Sequence, residues 1–292
     1  MKYIKNPIIE TLFNLNLIKK KNLVKLSNNT RDKKIKVFQD KISKIIFLEK
    51  FFIGNNYSKI AMKDFSKIKV KGHNLKIRLL RNDNITRRYN DFKKYFKNKN
   101  ILDFGAGWGG FLSKIKNKKS ITAFELRPEC INYLKKINIK VVNKFKDLKD
   151  NHYEFVSLFH VFEHIPDQIS TLKKIYSKMK KGGKLILEVP HANDLLIKTD
   201  IKQFKDFIFW SQHLILHTEK SLYKFLKLSK FKKVKFIFLQ RYNFSNHIKW
   251  IIEKKPSGHE GYLKINKTMN KEYENFLVKN KLTDTIIAVA TK

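Results

Sequence analysis

Between Ile101 and Val189 short apolar runs alternate with stretches of helical periodicity, and this alternation restricts the possible folds more than any other feature. The runs ILDF (101–104), ITAFEL (121–126), KVV (140–142), FVSLFH (155–160) and KLILEVP (184–190) read as buried strands. PECINYLKKI, with Pro128 in its first turn, reads as a helix. So does PDQISTLKKIYSKMKK, which begins near Pro166 and is closed by Gly182–Gly183. Strands joined through helices wind into an α/β, doubly wound, mostly parallel sheet. Downstream, TEKSLYKFLKLS (218–229) predicts a helix, VKFIFLQ (234–240) a strand and DTIIAVAT (284–291) a final strand. Residues 241–282 lie between those last strands and contain NHIKWIIEKKPSGHE and a helix near KEYENFLVK. They are too long for a simple connection and read as an insertion.

Residues 1–84 read as a small basic α+β module with strand-like KIKVFQ and KIIFLEKFF. Residues 85–292 read as the sheet domain, entered through the helix ITRRYNDFKKYF (85–96). The formal net charge is +39, from 64 Lys+Arg against 25 Asp+Glu. The excess is mostly lysine and spread along the chain, the pattern of a solvated surface more than of a dedicated nucleic-acid face. A nucleic-acid partner is therefore the less favoured expectation. Cys130 is the only cysteine, which excludes an internal disulfide and a cysteine-based zinc site. The apolar runs are far shorter than a membrane span, and MKYIKNPIIETLFNLNLIKKK lacks the unbroken apolar core of a signal peptide. A cytoplasmic address without a membrane span is expected.

The turn after the first core strand, ILDFGAGWGGF, places Gly105, Gly107 and Gly110 in the G-x-G-x-x-G spacing that usually points to a dinucleotide. Asp103 argues against one. At the strand's end it would face the doubly charged pyrophosphate at short range, where repulsion is poorly screened. A cationic ligand reverses the sign: S-adenosylmethionine carries a sulfonium and an α-ammonium, and Asp103 would hold the ammonium directly or through water. Glu125, closing the second strand in ITAFELRPE, can accept both hydroxyls of a ribose, a feature that a nicotinamide dinucleotide shares.

The run LDFGAGWGGF, AFELRPE, FVSLFHVFEHIPD and KMKKGGKLILEVPHANDLL resembles the class I S-adenosylmethionine-dependent methyltransferases of the type 11/12 branch over about residues 100–190. The resemblance implies a Rossmann-like, seven-stranded, mostly parallel sheet whose last strand is antiparallel and pairs inside the edge strand VKFIFLQ. It implies that Asp103, Gly105, Gly107 and the backbone of Phe104, Ala106 and Trp108 line the methionine half of the cofactor. Glu125 would take the ribose, Leu126 and Asp147 would meet the adenine, and Phe159 and His160 would flank the methyl-bearing sulfur. FWSQHLILHTEKSLYKFL, QRYNFSNHIKWIIEKKPSGHEG and the tail KLTDTIIAVATK look like a bacterial subgroup associated with polysaccharide and nucleotide-sugar pathways. In relatives, the segment VFQDKISKIIFLE can carry paired cysteines for zinc; here Asp40 and Ser43 stand in their places.

Methyl transfer is an in-line displacement that needs alignment, exclusion of water and, for a neutral acceptor, a base. His160 and His191 follow the fourth and fifth core strands, and His213 lies in FWSQHLILH where a cap is expected. His191 is the preferred base of the three. Glu163 and His164 are expected to tie their loop to the following helix, and no metal is expected. The expected acceptor is a small molecule, a sugar or nucleotide-sugar methylated on oxygen or carbon, with Arg241, Lys254 and Lys255 as candidates for a diphosphate. RNA or tRNA methylation is the competing reading, a non-catalytic cofactor-binding scaffold the third, and a dinucleotide oxidoreductase the most distant.

Overall fold

A computed structural model describes residues 2–53, 83–116, 118–199, 201–256 and 262–292. Residues 54–82 of the expected N-terminal module and the segment SGHEG (257–261) of the insertion lie outside them. The N-terminal part carries β1 (Lys2–Lys5), β2 (Leu23–Ser27), β3 (Val37–Asp40), β4 (Ile46–Leu48) and β5 (Lys50–Ile53). The core follows with β6 (Asn100–Phe104), β7 (Ser120–Phe124), β8 (Lys140–Val142), β9 (Tyr153–Phe159) and β10 (Met179–Pro190). The last strands are β11 (Ile215–Leu216), β12 (Lys232–Leu239) and β13 (Thr285–Thr291).

The main sheet has seven strands in the order β12-β13-β10-β9-β6-β7-β8. β13 runs antiparallel to both β10 and β12, and the pairs from β10 to β8 are all parallel. This is the expected topology, with DTIIAVAT inserted inside the edge strand. Parallel strands covered on both faces read as continuous apolar runs, which is why Ile101–Phe104 and Phe155–Leu158 are wholly buried. β12, at the edge, shows an alternating half-exposed pattern instead.

Side-chain alternation sorts each strand between two layers. Leu102, Val156, Leu158, Leu185, Leu187 and Val189 pack with the helices Gln168–Lys178 and Glu219–Leu228. Ile101, Phe155 and Ile186 face the opposite layer, with Phe92 and Phe96 of the helix Asp83–Phe96 and with Phe111, Leu112 and Leu134. The same parity places Asp103, Ser157, Phe159 and Glu188 on this second face, toward the carboxyl ends of their strands.

One element differs from expectation. The helix after Asp167 ends at Lys178, and MKKGG (179–183) belongs to β10. Met179 is fully buried and pairs with Tyr153; the register then shifts before Lys184, with Gly182 at φ +80°. Gly182 donates its N–H to the Lys292 carbonyl, and Lys292 donates back to Gly183. The glycine pair thus forms a strand irregularity that docks the last residue of the chain, and does not cap the helix.

The N-terminal elements do not stand apart. β2, β3 and β4 form a sheet whose fourth strand is β11, contributed from beyond β10. Ile45 and Phe47 join the core of the main sheet. At the turn where cysteines occur in the resembled module, Asp40 accepts backbone N–H bonds from Ile42 (2.9 Å), Ser43 (2.8 Å) and Lys19 (2.9 Å). A carboxylate closes this turn by hydrogen bonding. Among the described residues no helix is long and apolar enough to cross a membrane.

Candidate cofactor and acceptor site

The loop after β6 is held against the end of β7: Gly105 and Ala106 both donate to the Phe124 carbonyl, at 2.7 and 3.2 Å. Gly105 has φ +79°, and a Cβ there would lie 2.3 Å from a methyl of Val161. Gly107 also has positive φ (+56°), and a Cβ on it would stand 3.2 Å from the Arg127 guanidinium. Gly110 opens the helix Gly110–Lys114, and Gly109 takes the left-handed position before it. The Phe104 ring stacks on Phe124 at 4.3 Å inside the core, so only its backbone reaches the loop's open side. Trp108 packs edge-on to Tyr133.

Asp103 is 4% exposed, and its Oδ1 accepts the Ser157 hydroxyl at 2.7 Å. Burial pushes its carboxyl up to about 6, against the pull of Ser157 and Arg88. At neutral pH it is therefore mostly ionised. Glu125 stands across the loop. Its carboxylate accepts N–H bonds from Gly107 (2.7 Å), Leu126 (2.9 Å) and Arg127 (3.0 Å), and the Arg127 Nε donates at 3.1 Å. Burial opposes the charge on Glu125, but Arg127 and these N–H groups hold its carboxyl below the usual range. Leu126 is exposed beside it, and Asp147 is exposed on the short turn Phe145–Asp147 after β8. A glycine cradle between two ionised carboxylates fits a small nucleoside-bearing cation.

Beyond Phe159 the chain enters a charged cluster. His160 adopts the left-handed conformation (φ +53°), a strained backbone for a residue with a side chain. Its Nδ1 lies 3.4 Å from Glu163 Oε1, and its Nε2 lies 3.4 Å from Glu188 Oε1. Arg241 Nη1 donates to that Nε2 at 3.2 Å. Arginine has no acceptor, so the neutral ring carries its proton on Nδ1, facing Glu163. Glu188 is wholly buried and receives Arg87 Nη2 at 2.7 Å and Arg88 Nη2 at 2.6 Å. Arg88 also lies over the Phe159 ring, 4.5 Å from its centroid. Ser157, Arg87, Arg88, Arg127 and Glu188 were not anticipated. A carboxylate inside the apolar run KLILEVP was the one available signal, because a buried acid in a strand requires a cation.

The candidate bases separate. His160 belongs to the face of Asp103. His191 does not: its Nδ1 contacts the Thr283 carbonyl at 3.1 Å and its ring packs on Phe238. It opens into a different cleft of about 490 Å³, shared with Lys44, Lys220, Tyr223 and Lys281. Burial lowers His191 to about 4. His213 sits beside His164, ring centroids 4.9 Å apart, and burial lowers it to about 3. Arg241, a candidate for a diphosphate, is committed to Asp284 at 2.7 Å because that buried acid needs a counter-charge. Lys254 and Lys255 are exposed.

The fold, the glycine loop and the two carboxylates together define a class I S-adenosylmethionine-dependent methyltransferase, with S-adenosylmethionine as its cofactor. The chain belongs to the methyltransferase-domain family, whose profile matches residues 77–235. It is similar to the tRNA U34 carboxymethyltransferase of Nautilia profundicola, at 29% identity over 48% of this chain and 50% of that protein. The enzyme of the same name from Wolinella succinogenes is 32% identical over 31% of this chain and 37% of its own. The alignments thus span half or less of these curated relatives. A crystallised S-adenosylmethionine-dependent methyltransferase from Archaeoglobus fulgidus shares the fold, with a TM-score of 0.52 at 20% identity over 81% of this chain and all of that one.

Proposed function

We propose that the chain transfers the methyl group of S-adenosylmethionine to an oxygen or carbon of a small hydroxylated acceptor, a sugar or nucleotide-sugar. One observation carries the reading. The buried acid Asp103 and the His160 cluster stand on one face of the sheet, at the carboxyl ends of adjacent strands, where ligands of open α/β sheets bind. The cofactor supplies an electrophilic methyl group. Asp103 holds its ammonium, Glu125 takes the ribose diol once Arg127 gives way, and Phe159 excludes water from the methyl side. His160 is the base, with Glu163 as its positioning residue and Nε2 turned away toward Arg241 and Glu188 until the acceptor enters. The charged walls made by Arg87, Arg88 and Arg241 suit hydroxyl groups as hydrogen-bond partners.

Asp103→Asn tests the cofactor half. The loss of a hydrogen bond to a charged group, ~1.5–3 kcal/mol, is expected to weaken S-adenosylmethionine about 10- to 100-fold and adenosine hardly at all. Because the Asp103 carboxyl lies at about 6, it is charged above that pH and neutral below it. Calorimetry should therefore show wild-type affinity falling as pH drops from 7.5 to 5, and the variant's staying flat over that range. Equal losses for both ligands would rule out the ammonium role.

A second reading, tRNA methylation, is favoured by the names of the two bacterial relatives and by a basic surface. The cleft at His191 continues through Ile42, Ser43 and Lys220 into a neighbouring one of about 510 Å³ that adds Lys19 and Lys21. A nucleic acid held there would release counterions, so retention of tRNA on the protein should fall by about 10³-fold or more between 50 and 200 mM salt. The sugar reading predicts weak retention with no such slope.

A further inference from the structure

Two segments distant in sequence are stitched together beside His160. The Leu214 N–H donates to the Glu163 carbonyl at 3.0 Å, and His164 Nδ1 contacts the Gln212 carbonyl at 2.9 Å. The pairing brings the side chains of Glu163, His164 and His213 into one cluster, whose potential ligand atoms all lie within 4.8 Å of one another. Glu163 is fully buried, and neither of its carboxylate oxygens accepts a hydrogen bond among the described residues. The nearest side-chain nitrogens are His160 Nδ1 at 3.4 Å and His164 Nε2 at 3.9 Å. A buried carboxylate left in that condition is costly, and such an atom calls for an explanation.

We propose that Glu163, His164 and His213 bind a divalent transition-metal ion. Two imidazoles and one carboxylate are the donor set of catalytic zinc sites and of the two-histidine, one-carboxylate iron sites. Because His164 Nδ1 faces a carbonyl, that nitrogen carries the proton in the neutral ring, and Nε2 presents its lone pair toward Glu163. A backbone carbonyl in this position is the usual outer partner of a ligating histidine. His160 Nδ1, 3.4 Å from Glu163 Oε1, is placed to become the hydrogen-bond partner of the ligating acid once the ion draws it in. Zinc–nitrogen bonds of about 2.0–2.1 Å would draw the ligand atoms to about 3.3 Å apart. His164 and His213 are only partly buried, which leaves them room to move and gives the ion a path in. The site does not depend on the acceptor proposed above.

The test is a titration of chelator-stripped full-length protein with Zn²⁺ by calorimetry, and with Co²⁺ by visible absorption, which reports tetrahedral coordination. One equivalent should bind, and thermal stability should rise with free Zn²⁺ as mass action requires. Glu163→Gln and His213→Ala should each weaken binding about 100-fold or more, and the control His152→Ala should leave it unchanged. If Glu163→Gln does not fold, His213→Ala decides alone, since His213 is not fully buried. No stoichiometric binding to the wild type, or undiminished binding to folded His213→Ala, overturns the proposal.

Discussion

Gly105→Ala is expected to destabilise the protein by about 2–5 kcal/mol and to remove cofactor binding. Two costs add. A left-handed backbone with a Cβ costs ~1–2 kcal/mol, and Gly105 sits at φ +79°. The new methyl would also lie 2.3 and 2.9 Å from the two Val161 methyls, an overpacking of about 1–3 kcal/mol. Relief of that clash moves the loop, and with it the Gly105 and Ala106 N–H bonds to the Phe124 carbonyl and the Gly107 N–H bond to Glu125. The costs can be separated. Gly182 has the same conformation, φ +80°, with nothing within 4 Å of its would-be Cβ, so Gly182→Ala should show the backbone cost alone. In the double variant Gly105→Ala/Val161→Ala, most of the packing cost should be relieved, with the residue-161 Cβ still 3.2 Å away, and the backbone cost should remain. Denaturant melts of wild type, Gly105→Ala, Val161→Ala and the double variant form a double-mutant cycle. Equal losses for the two glycines would contradict the packing argument.

What could be read from the sequence follows how local each interaction is. The strands at Ile101–Phe104 and Phe155–Phe159 were legible because a parallel strand buried on both faces is a contiguous apolar run. The glycine loop and Glu125 were legible because turn and acid lie on consecutive strands at a fixed spacing. MKKGG (179–183) was misread because helical periodicity followed by a glycine pair is the ordinary sign of a helix end. What overrides it is a pairing with Tyr153 and with the chain's last residue, neither of them local. His191 is the residue after β10, and its ring is held by the Thr283 carbonyl and Phe238, contacts far away in sequence that turn it into a cleft apart from the face of Glu188. Nothing local singles out Arg87 and Arg88 within the helix ITRRYNDFKKYF, because their partner stands about a hundred residues away. The cluster of Glu163, His164 and His213 was hidden for the same reason: the hydrogen bonds that assemble it join loops nearly fifty residues apart.

Glu188→Ala should be the most destabilising single change outside the glycine loop, at about 3–5 kcal/mol. Removing one partner of a buried ion pair leaves the other charge desolvated and unpaired, and here one carboxylate serves two guanidinium groups. Arg87 Nε already lacks a hydrogen-bond partner among the described residues, and without Glu188 the side chain would keep its ion pair with the half-exposed Asp91 at 3.2 Å. The helix Asp83–Phe96, which carries both arginines, would keep Phe92 and Phe96 in the core while losing its polar attachment to β10. Hydrogen exchange in that helix should accelerate first. The pH dependence has a definite sign. Burial opposes the charge, but His160 and Arg88 hold the Glu188 carboxyl well below its unfolded value near 4.3. Its contribution is then fully present above that value and is lost as pH falls through the folded one, so the gap between wild type and variant should be constant above pH 5 and close in acid. Replacing all three charges, with Arg87→Met, Arg88→Leu and Glu188→Leu, should restore much of the stability, since apolar groups of similar volume often match a buried ion pair. Methyl transfer should not return with it if these groups line the acceptor cleft, whereas recovery of stability and activity together would reduce the network to a structural attachment.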